Sequence, residues 1–377
     1  MTSNGTKMRW DPYIQSRGDD FIVFWKGHLS SKDRKVLFII GKGFDQRALR
    51  AMTEIISIGS SPDVWVLAFD NGLVDSNSRI ELTADNLKKL HSLVPEEAVQ
   101  YLPIEIDTSE QRNVTAKNTI DAISKQGGLS DYDDVVIDIS AMPRMVAMTS
   151  VAKILYDLDR VEELSGKNVN MHVTISESIE VDKVSGNGTL SESVTHVAGF
   201  SGELSNPTED FHPRVWFPVL GEGQNDRLTL IREKIDPDEI CPVLPFPSRA
   251  PRRGDEIIHE YRQTLFEDFQ VEPRNILNAS EYSPFEAYKQ LFQAMDRYRI
   301  SLNQLGGCKA FVSPLSSKLL SIGSLLACYD HKYGDIEGQK LSVGIPYVET
   351  AVYEDPTVDD ELEVELYSLW LRGEWEK

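Results

Sequence analysis

The sequence predicts an α/β protein of two units with mainly parallel sheets, joined by an irregular segment that contains a hairpin. Three observations predict it. Short apolar runs alternate with polar, helix-periodic stretches over residues 1–175, the pattern lapses in a glycine- and proline-rich segment, and then it resumes. With 377 residues, 41% of them hydrophobic and 26% charged, the chain is long enough for two or three cores and is not globally disordered.

The first strands are read at Val36–Ile40, Val64–Phe69, Val99–Ile104, Val135–Ile139 and Val169–Ile175, each an apolar run of strand length. Ala48, Met52, Ile55 and Ile56, then Val151, Ile154, Leu155 and Leu158, keep the three-to-four spacing of helices between them. Residues 1–175 therefore read as one Rossmann-like unit. From 176 to 237, Gly186-Asn187-Gly188, Gly199, Gly202, Pro207, Pro213, Pro218, Gly221 and Gly223 read as a hairpin and a linker. Runs at Cys241–Phe246, Asn275–Leu277, Lys309–Val312 and Val343–Val348 build a second Rossmann-like unit over 238–353. The stretch 354–377 interleaves Asp355, Asp359, Asp360, Glu361, Glu363 and Glu365 with Leu362, Leu366, Leu369 and Trp370, and reads as an acidic C-terminal helix or tail.

Thirty-nine Lys and Arg against 60 Asp and Glu give a net charge of −21, which opposes binding to bulk nucleic acid. No apolar run is long enough to span a membrane, and none of signal-peptide length opens the chain. Cys241, Cys308 and Cys328 form no CxxC or disulfide framework, and the expected location is the cytoplasm. The seven histidines show no paired ligand spacing, and no Gly-x-Ser-x-Gly elbow is present, so neither a metal site nor a cofactor nor a hydrolase triad is expected.

Chemistry is concentrated in the loops that follow strands, where open α/β sheets bind ligands. Val135–Ile139 runs into Asp138-Ile139-Ser140-Ala141-Met142-Pro143-Arg144, with Pro143 suited to a first helical turn. There Ser140 and the backbone N–H groups can face an anion, and Arg144 supplies a planar cationic fork. The competing reading has Asp138 and Ser140 as helix caps and Arg144 paired with a surface acid. In the second half Lys309–Val312 leads to Ser313, Ser316, Ser317 and Lys318 before another helix, in the same order. Gly41-Lys42-Gly43-Phe44-Asp45-Gln46-Arg47 follows the first strand without forming a Walker or dinucleotide motif. Its expected counterpart is the proline-stiffened loop Pro245–Asp255, in which Arg249, Arg252 and Arg253 reverse the local sign of charge. Glu281, in the loop before Pro284, reads either as a ribose or base contact or as a surface carboxylate; Tyr347 and Glu349 invite the same two readings.

The loop Asp138-x-Ser140-x-x-x-Arg144, after a fourth strand, resembles the ligand loop of the CARF family, Rossmann-like domains of CRISPR-linked systems that sense cyclic oligoadenylates. That loop reads roughly Asp-x-Thr-Gly-Gly-Thr-Lys. By position Ser140 matches its threonine and Arg144 its lysine, Gly41 to Asp45 fall on the family's first ligand loop, and Ala141-Met142 replaces the paired glycines. The resemblance covers residues 33–175 and implies a nucleotide-sensing site and a link to prokaryotic antiviral defence.

Three functions follow as expectations. The first is a sensor or accessory subunit that binds a nucleotide or other phosphorylated ligand through Gly41, Gly43, Asp45, Arg47, Ser140, Arg144, Arg249, Arg252, Arg253, Ser313, Ser317 and Lys318. The second is a nucleotide- or nucleoside-processing enzyme with Asp138 or Glu281 as general base. The third is a protein-interaction subunit of a larger defence or regulatory complex.

Overall fold

Strands that read as unbroken apolar runs are covered on both faces, and this is what the computed structural model displays at β2 (Val36–Gly41), whose every residue is buried. The structure describes residues 6–70, 76–105, 114–178, 188–202, 212–338, 340–353 and 363–376. The chain divides into two units: a first of Tyr13–Ser109, Val114–Gly188 and Ala351–Lys377, and a second of Met1–Pro12, Glu110–Asn113 and Thr189–Thr350. Among the described residues, no helix is long and apolar enough to cross a membrane.

In the first unit, β2, β3 (Asp63–Asp70), β4 (Val99–Glu105), β5 (Asp134–Asp138) and β6 (Asn170–Glu177) form a parallel sheet. With β1 (Ile14–Arg17) and β14 (Glu365–Arg372) its order is β1-β14-β6-β5-β2-β3-β4. Both added strands run antiparallel to their neighbours. The helices are α1 (Asp19–Ser30), α2 (Arg50–Ser57), α3 (Asn77–Leu93), α4 (Val114–Gln126) and α5 (Arg144–Ser165). Phe21 and Trp25 of α1 and Met52 and Ile55 of α2 close over Phe38, Ile40, Val64 and Val66 of the sheet.

Within the C-terminal stretch expected to be an acidic helix or tail, Glu365–Arg372 form strand β14. Tyr367, Leu369 and Leu371 are each 0% exposed, a period-2 pattern that outweighs the helix-like spacing of Leu366, Leu369 and Trp370. Pairing with β1 and β6 satisfies the backbone on both edges. Arg372 locks the strand's end: its guanidinium donates to Asp159 at 2.8 Å, Glu162 at 2.6 Å, Asn168 at 3.0 Å and the Val169 carbonyl at 2.9 Å. The acids from Asp355 to Glu361, like Gly186 and Asn187 of the expected hairpin, lie outside the described residues.

The second unit is also built on a mainly parallel sheet: β7 (Gly188–Ser201), β8 (Arg214–Leu220), β10 (Val243–Pro245), β11 (Leu277–Ala279), β12 (Lys309–Leu315) and β13 (Ser342–Tyr353). Its order is β11-β10-β8-β12-β13-β7, and the short β9 (Glu239–Ile240) pairs with β8. The helices are α6 (Asn225–Ile235), α7 (Arg253–Glu260), α8 (Pro284–Ser301) and α9 (Lys318–Tyr333). The segment expected to be a linker thus contains β8, a central strand, and α6. Pro218 hides this strand in the sequence, because proline usually marks an edge or a loop; here it sits opposite Ser313 inside the sheet.

Helix α9 is buried continuously from Leu319 to His331, as its all-round apolar surface requires. It packs on α8 so closely that a Cβ at Gly323 would run into the Pro284 carbonyl and Ala287. The N-terminal residues belong to this unit: Trp10, 1% exposed, meets Tyr288 edge-on at 5.3 Å. Asp330 accepts the Arg9 N–H at 3.0 Å and the Tyr288 hydroxyl at 2.5 Å.

Two predictions follow from this packing. Arg372→Ala lowers stability by about 2–3 kcal/mol in urea titration, below the range for breaking a fully buried pair, because Asp159 and Glu162 keep some water. His331 is stacked on Phe292 and donates Nε2–H to its carbonyl at 3.1 Å. Burial holds its pKa down at about 4 from the ordinary 6.5. The neutral ring's contribution is complete above pH 6.5 and is lost as pH falls toward about 4, so His331→Gln flattens the decline in Tm across that window.

Candidate functional site

Within the parallel core of the first sheet the order β4-β3-β2-β5-β6 reverses its direction of growth between β2 and β5. The second sheet does the same between β8 and β12 in β11-β10-β8-β12-β13. Such reversals are the switch points at which open α/β sheets take ligands beyond the carboxyl ends of the strands. The two units thus share one topology and one predicted location for a site.

At the β2/β5 reversal two loops cross in contact. A Cβ at Gly41 would lie 2.8 Å from Met142 Cγ, and one at Gly43 would lie 3.0 Å from the Ala141 carbonyl oxygen. Glycine is required by this approach, not by an unusual φ. Asp138, 2% exposed, accepts the Ser140 N–H and the Thr174 hydroxyl, both at 2.9 Å. The Ser140 hydroxyl, fully buried, accepts the Ser176 N–H at 2.8 Å. These residues pin the loop to β6. Asp45 accepts Arg47 N–H at 2.9 Å and its guanidinium at 2.8 and 3.0 Å, while Asn86 donates to the carbonyls of Gly43 at 2.8 Å and Asp45 at 3.0 Å. Lys42 is exposed and Arg144 half-buried at the first residue of α5. Behind the loop, between Gly41, Gly43, Thr83 and Asn86, a cavity of about 10 Å³ has room for one water.

The β8/β12 reversal repeats the crossing: a Cβ at Gly221 would lie 2.7 Å from the Leu315 carbonyl oxygen and 2.9 Å from Ser316 Cα. Tyr261 holds this loop, donating its hydroxyl to the Gly221 carbonyl and accepting the Gln224 N–H, both at 2.7 Å. Burial pushes that phenol well above its usual pKa. Arg227, 3% exposed, donates to Gln224 at 2.6 Å, the Val348 carbonyl at 3.1 Å and Thr350 at 2.5 Å, with its guanidinium 5.8 Å from the Tyr347 ring.

The equivalent of Gly41–Arg47 is therefore Gly221-Glu222-Gly223-Gln224, and not the arginine loop after β10. A Gly-x-Gly directly after an apolar run was the available signal, masked by the proline in β8. The arginine loop instead meets Glu281, which is 4% exposed. Arg253 grips Glu222 through two bonds of 2.6 and 2.7 Å and also donates to Glu281, whose other oxygen accepts the Arg249 N–H at 2.9 Å. Arg249 is half-buried and Arg252 exposed. Ser313, fully buried, accepts Trp216 Nε1–H at 2.9 Å. Ser317 caps α9 through the Leu320 N–H at 3.3 Å, and Lys318 is half-buried beside it.

Asp138 and Glu281, the expected general bases, each hold their own loop through hydrogen bonds to both carboxylate oxygens. Asp45 with Arg47, and Ser313 with Trp216, are likewise internal braces. One cluster escaped the sequence altogether. His28, Asp134 and His172 converge at the opposite end of β5, and their separation along the chain leaves no motif.

No protein-family model and no curated protein sequence matches the chain. Among solved structures it is similar to a putative universal stress protein from Pseudomonas aeruginosa UCBPP-PA14, at 8% identity and a TM-score of 0.21, over 83% of this chain and 92% of that one.

The two crossings yield a ranked prediction. Gly221→Ala, which meets immovable backbone, costs about 2 kcal/mol or more in chemical denaturation, and Gly41→Ala costs less because Met142 can turn aside. Equal losses, or the reverse order, contradict the crossing as described.

Proposed function

We propose that the chain is a ligand-binding sensor that takes a nucleotide or other phosphorylated small molecule at the β2/β5 loops of the first unit. The observation that carries this reading is the glycine crossing at the switch point, where Gly41 and Gly43 bring the backbone of one loop close against Ala141 and Met142 of the other at the carboxyl ends of the strands. Lys42 and Arg144 place positive charge beside it in a protein of net charge −21. Pro143, the N-cap of α5, supplies no side-chain cap, whereas α9 is capped by Ser317. First-turn N–H groups and the helix dipole then favour an anion at α5 over α9.

The commitment of Asp138 and Glu281 to loop bracing favours binding over catalysis. The resemblance of Asp138-x-Ser140-x-x-x-Arg144 to the CARF ligand loop extends the proposal to sensing in prokaryotic antiviral defence. In that role Ser140 positions the loop, and Arg144 and Lys42 meet the phosphate. Met142, 2% exposed, fills the space that paired glycines would leave, so the ligand lies over the crossing and not within it.

Thermal shift against mono-, di- and cyclic nucleotides tests the reading. A ligand at one hundred times its Kd raises stability by about 2.7 kcal/mol. The expected result is a rise in Tm that Arg144→Ala abolishes and Lys318→Ala leaves intact. A shift insensitive to Arg144→Ala, or no shift with any nucleotide, overturns it.

A further inference from the structure

Asp134 opens β5, and the two-residue period of parallel strands places His172 of β6 on the same face, since Asp134 pairs with Asn170 and Val136 with His172. His28, in the last turn of α1, descends onto the pair. Its Nε2 lies 2.7 Å from Asp134 Oδ1, and His172 Nε2 lies 3.5 Å from the same oxygen. All three donor atoms fall within 4.8 Å of one another. The cluster is sealed: His28 is 8% exposed, and Asp134 and His172 are 0% exposed. Trp370 stacks on the His172 ring at 5.1 Å, Trp25 lies at 4.8 Å, and Phe24 stacks on His28 at 5.6 Å.

Two features set this cluster apart from an ordinary buried ion pair. Among the described residues His172 Nδ1 has no hydrogen-bond partner and Nε2 reaches Asp134 Oδ1 only at 3.5 Å, an expensive shortfall for a buried imidazole. Arg34 Nη1 donates to Asp134 Oδ2 at 3.3 Å and so turns Oδ1 toward both imidazoles, as an outer-shell donor orients a ligating carboxylate.

We propose that His28, Asp134 and His172 form a binding site for one divalent transition-metal ion of the Zn²⁺ class. Two imidazole nitrogens and one carboxylate oxygen suit that ion, and donors about 2.0–2.2 Å from a tetrahedral centre lie roughly 3.3 Å apart. The ion takes the place of the proton held between His28 Nε2 and Asp134 Oδ1, which moves to His28 Nδ1 so that the ring binds as a neutral imidazole; the 2.7 Å contact opens, and a water carried in with the ion takes the fourth position. The site ties α1 to β5 and β6 at the amino end of the strands, remote along β5 from the loop that begins at Asp138.

The test uses the full chain, stripped with a chelator, reloaded with Zn²⁺ or Co²⁺ and desalted. The expected content is one ion per chain, with the intense visible absorption of tetrahedral cobalt. His28→Gln retains less than a tenth of that, and His91→Gln, at an exposed histidine, retains all of it. X-ray absorption at the zinc edge of the wild-type protein needs no variant and is expected to show two imidazoles in a nitrogen and oxygen shell. Failure of the wild-type chain to retain the ion, full retention by folded His28→Gln, or a shell with sulfur or without imidazole overturns the proposal.

Discussion

Each unit depends on a close crossing of two loops at a glycine. Where the parallel strands reverse their direction of growth, the loop leaving the first strand must pass against the loop leaving the fourth. At Gly41 and Gly221 the space for a Cβ is already occupied, by Met142 in one unit and by the backbone of Leu315 and Ser316 in the other. Everything around the crossings serves to fix them. Asp138 and Ser140 bind their loop to β6, Asp45 and Arg47 stiffen the loop opposite, and Tyr261 bridges Gly221 to Gln224. A rigid crossing presents backbone N–H groups in one arrangement, which lowers the entropy lost when an anion binds.

The same contacts redistribute the roles that residue type alone suggests. A carboxylate at a strand end is a candidate base by residue type, and here it also braces a loop. Thr174 and the Ser140 N–H donate to the two oxygens of Asp138, and Arg253 and the Arg249 N–H to those of Glu281. Likewise Arg253, which stands out in an acidic sequence, is neutralised by two glutamates and has little charge to offer a phosphate. An uncapped start to α5 and a capped start to α9 distinguish two loops whose sequences look alike.

What the sequence discloses follows the physics of each element. Strands β2, β3 and β5 are legible because they hold unbroken apolar runs, as burial on both faces demands at β2 and β5; β6 and β12 are fully buried although Asn170, His172, Thr174, Ser176, Lys309 and Ser313 interrupt their apolar residues. The central strand β8 is not, because Pro218 signals a loop while its neighbours β10 and β12 hold it in the sheet. Strand β14 carries a spacing compatible with helix, and only its place between β1 and β6 selects the period of two. The position of the Asp138–Arg144 and Ser313–Lys318 loops is legible from strand-loop-helix order, but their hydrogen-bond partners come from other strands. The His28, Asp134 and His172 cluster is wholly tertiary: a helix end, a strand start and a neighbouring strand meet without any shared motif.

The central claim is that a phosphorylated ligand sits over the β2/β5 crossing. Hydrogen–deuterium exchange of the full chain with and without saturating nucleotide locates the contact directly. The account predicts slowed exchange in peptides covering residues 41–47 and 139–147, with the 221–224 and 246–253 loops unchanged. Protection confined to the second unit, or exchange unaffected by every nucleotide tried, would contradict it.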